Sequence, residues 1–124
     1  MATAGTHCIL ELYDCSRALL NDRIFIQNAL RQAAEQARST LLKEISYQFQ
    51  PHGVTALVLL AESHISIHTW PETGYAAIDV FTCGQHTKPE EACLYLVRSL
   101  QARSHSLQKL PRYMAPLPLE LVQV

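Results

Sequence analysis

A serine that directly follows an acidic residue can attack the carbonyl before it. Glu62-Ser63 supplies that pair within the stretch Ala61-Glu62-Ser63-His64-Ile65-Ser66-Ile67-His68-Thr69-Trp70-Pro71-Glu72. If the backbone is held strained and a donor meets the oxyanion, the Glu62–Ser63 amide becomes an ester. The acylated β-oxygen is then a leaving group. Loss of the Cα proton expels it and leaves a dehydroalanine, which hydrolyses to a pyruvoyl ketone. That proton needs a base, and histidine, titrating near neutrality, is the usual one. His64 and His68 are the candidates in this stretch.

Strand geometry limits which imidazole can serve. If residues 64 to 69 are extended, His64, Ser66 and His68 share one face, while Ser63, Ile65 and Ile67 share the other. Either the chain kinks at 62 to 64, or the imidazole working on Ser63 comes from a second copy of the protein. The second copy is the favoured reading, because the third strand independently calls for a partner, as argued below.

The same stretch, followed by Gly74-Tyr75-Ala76-Ala77-Ile78-Asp79-Val80-Phe81-Thr82-Cys83-Gly84, resembles the short prokaryotic S-adenosylmethionine decarboxylase proenzyme family. A contiguous signature of this length is far more specific than a three-residue motif. The resemblance implies cleavage between Glu62 and Ser63 into a β chain (1–62) and an α chain (63–124), with a pyruvoyl group derived from Ser63 replacing any external cofactor. It implies that Ser63 condenses as that ketone with the substrate amine. His68 becomes the proton acceptor in processing, acting on the partner chain's Ser63, and Cys83 the proton donor in decarboxylation. Thr55 stands where the family commonly has serine, and its retained hydroxyl is expected to support processing, its extra methyl to slow it. Phe49 resembles the adenine-stacking aromatic and Glu72 the carboxylate that accepts the ribose hydroxyls. Trp70 is read as a second platform or as interface packing.

Taken without the family, these residues have plainer readings. Ser63 would be a surface hydroxyl, His68 a hydrogen-bonded structural histidine and Cys83 a small apolar residue. Glu11 is read as an edge-strand carboxylate meeting solvent, with the resemblance raising the alternative of a place near the substrate.

The elements that must position this chemistry follow from periodicity. His7 to Tyr13 reads as a first strand. Asn21 or Asp22 caps a helix to about Ser39, with Ile26, Ala29, Leu30, Ala33 and Ala37 on its packing face and Arg31, Gln32, Glu35 and Arg38 in solvent. Leu41 to Phe49 and Val54 to Leu60 are strands joined by a turn at Gln50-Pro51-His52-Gly53. Ile65 to Trp70 and Tyr75 to Cys83 follow. Thr87-Lys88-Pro89-Glu90 reads as a capping box opening a second helix that ends near Arg103, with Ala92, Cys93, Leu96, Val97 and Leu100 buried. Ser104 to Leu110 adds a last strand, and the tail after Pro111, with Pro116 and Pro118, reads as loosely ordered.

Val54 to Leu60 has no polar face, so both of its sides need cover. Two helices cover one side of such a sheet. The other is expected to meet the sheet of a second copy across a two-fold axis. The fold class is therefore α+β: a two-layer arrangement of an antiparallel sheet with two helices on one face, dimerising sheet-to-sheet into an αββα sandwich.

Composition sets the remaining bounds. A chain of 124 residues that is 48% hydrophobic suits one domain, without internal repeat or linker. The net charge of -1 with interspersed signs argues against a nucleic-acid partner. Met1 to Thr6 lacks the pattern of a signal peptide, and the apolar run Val54 to Ala61 is far shorter than a membrane span. Cys8, Cys15, Cys83 and Cys93 show no C-x-x-C spacing and read as reduced thiols of a cytoplasmic protein. No phosphate-binding glycine loop or G-x-S-x-G elbow occurs. His64 and His68 lie roughly 13 Å apart along a strand, too far to share a metal. The expected activity is decarboxylation of S-adenosylmethionine to the aminopropyl donor for spermidine synthesis. The rivals are an arginine or ornithine decarboxylase on the same self-processing fold, and an unprocessed regulatory homologue.

Overall fold

In the computed structural model, which describes residues 2–116, period-two alternation places half of each inner strand's side chains in one core. Six strands form one sheet: β1 (Thr3–Tyr13), β2 (Leu41–Gln48), β3 (Val54–Leu60), β4 (Ser63–Trp70), β5 (Tyr75–Thr82) and β6 (Ser104–Tyr113). Their order is β2-β3-β4-β5-β1-β6, with every neighbouring pair antiparallel. The helices are α1 (Arg17–Leu20), α2 (Arg23–Gln36) and α3 (Pro89–Ser99). Helix α2 lies over β2 and β3, α3 lies over β1 and β5, and the two pack on each other. This is the expected α+β architecture, with a short third helix added.

The core is built from Leu10 and Leu12 of β1, Val54 and Val58 of β3, Ile65 and Ile67 of β4, and Ile78 and Val80 of β5, all fully buried against Ile26, Leu30, Leu96 and Leu100. Both helical stripes read from the sequence face this layer. Ile67 sits at its centre with no exposed surface. Ile67→Ala should cost about 3 kcal/mol through lost burial and the cavity left behind, read by urea unfolding at fixed protein concentration.

Among the described residues, no helix lies on the opposite side of the sheet. There β3 leaves Leu57 and Leu59 39% and 49% exposed, and Ile45 of β2 is 67% exposed. The strand read as apolar on both sides is thus covered on one and bare on the other.

Local chemistry explains most element ends. Asp22, rather than Asn21, caps α2, accepting the Phe25 N–H at 3.0 Å. Asn21 accepts the Gly53 N–H and a Gln48 amide N–H, each at 2.9 Å, and so pins the turn between β2 and β3.

Five expectations are corrected. β1 begins at Thr3, four residues earlier than read, and is not an edge strand: it lies between β5 and β6, and Glu11 accepts the Tyr75 hydroxyl at 2.7 Å. The capping box does not form. Lys88 occupies the N-cap position of α3 without a side-chain bond, while the Thr87 hydroxyl donates to the Gly84 carbonyl at 3.0 Å and closes the loop behind Cys83. α3 also stops at Ser99 instead of near Arg103. β6 continues through Pro111 to Tyr113, and a proline there is tolerated because β6 is an outer strand. Pro116 follows the strand, and Pro118 lies outside the described residues.

Candidate active site

Ser63 opens β4, and its backbone departs from the strand: φ is 147°, a conformation that L-residues rarely adopt and that costs about 1–3 kcal/mol. The departure carries its side chain onto the bare face, where Oγ lies 3.2 Å from Nδ1 of His64. Simple alternation puts these two side chains on opposite faces, so the kink is what brings them together. The carbonyl before Ser63 is held as well. The Cys83 N–H donates to the Glu62 oxygen at 2.9 Å, the atom on which negative charge would develop if Ser63 Oγ attacked.

Cys83 reaches this place because Ser63 pairs with Thr82, the last residue of β5. β1 must come in very closely there: a Cβ on Gly5 would sit 2.5 Å from the Thr82 carbonyl oxygen and 3.2 Å from the Cys83 sulfur. A glycine at position 5 therefore lets β1 seal one side of the thiol, which remains half-buried. Ser63 opens onto a cavity of about 460 Å³ lined also by His7, His64, Ser66, Asp79, Phe81 and Arg112. The His7 ring meets Asp79 at 2.9 Å, and the Arg112 guanidinium lies 5.6 Å from the centre of the Phe81 ring.

The other predicted residues gather elsewhere. Phe49, Thr55, His68, Trp70 and Glu72, joined by His52, line a second cavity of about 420 Å³ on the same face of the sheet. Thr55 and His68 are opposed across β3 and β4, with Oγ1 2.9 Å from Nδ1, which leaves Nε2 as the free edge of the imidazole. Phe49 is set by the pinned turn, its N–H donating to Gly53 O at 2.8 Å. His52 lies 3.0 Å from the Glu72 carboxylate. The Glu72 carboxyl is held below the usual range by its own backbone N–H and then by His52, so it is poised as an anionic acceptor. The Trp70 ring lies 5.2 Å from that of Tyr75, tilted by 32°. Burial and then Glu11 push the Tyr75 phenol up to about 12, keeping it a donor to that carboxylate. Glu11 thus belongs at the Trp70 end of the sheet, away from Ser63.

Within one chain the two groups are not joined. Ser63 and His68 stand at opposite ends of β4, five residues or roughly 16 Å apart along the strand, and His68 is engaged by Thr55. The structure brings together Ser63, Cys83 and His64 in one place and Phe49, Thr55, His68, Trp70 and Glu72 in another. Sequence reasoning missed His52, His7, Asp79 and Arg112. Asp79 inside an apolar strand was a usable signal; His52, in a segment read only as a turn, gave none. Among the described residues, no three His, Cys, Asp or Glu side chains are grouped to hold a metal ion, and no helix is long and apolar enough to cross a membrane.

Comparison with known proteins adds to this geometry. A family model described as S-adenosylmethionine decarboxylase matches residues 6–113. The chain is 58% identical over 108 residues to the S-adenosylmethionine decarboxylase proenzyme of Synechococcus sp. (strain WH7803), covering 87% of this chain and 84% of that one. It is 37% identical over 124 residues to the proenzyme of the same name from Caldicellulosiruptor saccharolyticus, spanning 100% of both chains. Among solved structures it resembles the adenosylmethionine decarboxylase from Aquifex aeolicus VF5, with a TM-score of 0.85 and 39% identity over 94% of this chain and 96% of that one.

Proposed function

The chain belongs to the S-adenosylmethionine decarboxylase family, whose proenzymes generate their own pyruvoyl group, and on that premise we propose that it cuts its Glu62–Ser63 bond and decarboxylates S-adenosylmethionine in a site built by two copies of the chain. The observation that carries the reading is the geometry at position 63: a strained serine whose hydroxyl meets an imidazole and whose preceding carbonyl is held by an N–H. The residues present fit the group that would form, since Ser63 opens onto a cavity with polar walls, and Cys83, a half-buried thiol, is tied through its N–H to the carbonyl before Ser63.

In processing, Ser63 Oγ adds to the Glu62 carbonyl carbon while His64 Nδ1 takes the hydroxyl proton and the Cys83 N–H steadies the oxyanion. Collapse breaks the C–N bond and leaves an ester. The partner subunit's His68, oriented by a Thr55 hydroxyl, then removes the Ser63 Cα proton, and Glu62 departs as a carboxylate. The resulting dehydroalanine takes up water and loses ammonia.

A pyruvoyl group formed from Ser63 would condense with the substrate amine and, through its conjugated amide carbonyl, supply the sink for the electron pair released when carbon dioxide leaves. Cys83 returns a proton to the substrate α-carbon. Phe49 and Trp70 provide aromatic faces for the adenine and the sulfonium, and Glu72, fixed by His52, accepts from the ribose hydroxyls. The product is decarboxylated S-adenosylmethionine, the aminopropyl donor for spermidine. The cysteine pattern supports a cytoplasmic location.

A homodimer is inferred because the two residue groups share one bare, apolar face at opposite ends of the same strand. A two-fold axis between facing sheets would bring each group onto the other. Mixing tests this. An H68A proenzyme should remain uncut alone and be cut once it is co-folded with an S63A chain, since the mixed dimer regains one complete Ser63–His68 pair. Cleavage of H68A alone, or none in the mixture, would refute shared sites. Carbon dioxide release from arginine or ornithine but not from S-adenosylmethionine would refute the substrate.

A further inference from the structure

We propose that His86 is a positioning residue for self-cleavage, holding the Glu62 carboxylate so that the carbonyl next to Ser63 stays on the Cys83 N–H; this rests on the processing reading above. Glu62 is gripped at both ends. Its side chain, only 12% exposed, accepts the Thr40 N–H at 2.9 Å and the Thr40 hydroxyl at 3.4 Å, and its Oε2 lies 3.0 Å from His86 Nε2. Its carbonyl oxygen accepts from Cys83. His86 and Cys83 belong to one loop between β5 and α3, which the Thr87 hydroxyl closes onto the Cys83 and Gly84 carbonyls at 3.3 and 3.0 Å.

That loop is shaped to return the imidazole. Gly84 has φ +92°, and a Cβ there would lie 2.9 Å from His86 Cε1, so the ring rests directly on the glycine. His86 is itself 62% exposed and lines neither of the two cavities described. Packing and substrate contact therefore do not account for its placement. The grip has a mechanical use: a strained φ at Ser63 would relax by rotation of the Glu62–Ser63 peptide, and fixing both the carboxylate and the carbonyl of Glu62 opposes that rotation. The Glu62 carboxyl lies below the usual range, through the Thr40 N–H and then His86, so the acceptor is ionised at neutral pH.

The test is a cleavage time course by denaturing electrophoresis and intact mass for wild type, H86A, H86Q, E62A and E62A/H86A, with S63A as the uncut reference. H86A should slow cleavage about tenfold, the loss of one hydrogen bond to a charged group, and H86Q, whose amide can still donate, should recover most of it. Adding H86A to E62A should change nothing further, because His86 acts through that carboxylate. In the matured fraction, turnover should fall far less than the cleavage rate. Wild-type cleavage of H86A, or an additive loss in the double variant, would overturn the role while leaving self-cleavage intact. An uncut wild-type chain would overturn both.

Discussion

Replacing Ser63 by alanine is expected to leave an intact 124-residue chain with no decarboxylase activity. In the proposed mechanism the hydroxyl serves twice, as the nucleophile that converts the amide to an ester and as the leaving oxygen when the Cα proton is removed. The groups that meet the Glu62–Ser63 pair cannot replace it: the Cys83 contact to the Glu62 carbonyl is a backbone N–H, and Ser63 Oγ meets an imidazole nitrogen of His64, which supplies no β-oxygen to leave. Intact-mass measurement reads the outcome directly. Wild type should yield two fragments, the second blocked at its amino end by a ketone that reacts with a hydrazide reagent, and S63A should yield one chain that does not react. Fragments from S63A would mean that the chain is cut by something other than itself.

Cys83→Ala should separate the two activities. The donor to the scissile carbonyl is the main-chain N–H at position 83, which alanine keeps, so cleavage should proceed at close to the normal rate. The thiol is lost, and with it the proposed source of the proton returned to the substrate carbon. Turnover per mature site should fall on the order of 10²- to 10⁴-fold, the range for removal of a general acid. Electrophoresis and carbon dioxide release from the same preparation give both numbers. Unchanged turnover would remove Cys83 from the chemical step, and loss of cleavage would mean that the side chain, not the backbone, supports processing.

The scaffold was largely readable from periodicity. β3 occupies the residues expected, and the stripe Ile26, Ala29, Leu30, Ala33, Ala37 is buried as its spacing requires. Such signals are local and repeat over several turns or residues. The errors arose where the deciding interaction is distant or brief. Four residues of α1 are too few to show a period. The capping box failed because the Thr87 hydroxyl found carbonyls in its own loop. Glu11 looked like an edge residue because strand order cannot be read from one strand alone, and only the chain's return in β6 encloses it.

At the site, residue types were legible and their grouping was not. The long signature named Ser63, His68 and Cys83. The contact between Ser63 and His64 depends on a single positive φ that no alternation rule anticipates. His52 and His86 each meet a carboxylate twenty or more residues away across turns, and neither turn announces a partner in its composition.

The strand order also decides what becomes of the pieces. β1, β2 and β3 precede the proposed cut and β4, β5 and β6 follow it, yet β1 lies between β5 and β6, and β3 lies against β4. The two fragments are interleaved like fingers of clasped hands, sharing three ladders that a single severed peptide does not touch. Cleavage at Glu62–Ser63 would therefore free a new chain end without freeing a subunit, and the nicked molecule would keep the shape in which it was made.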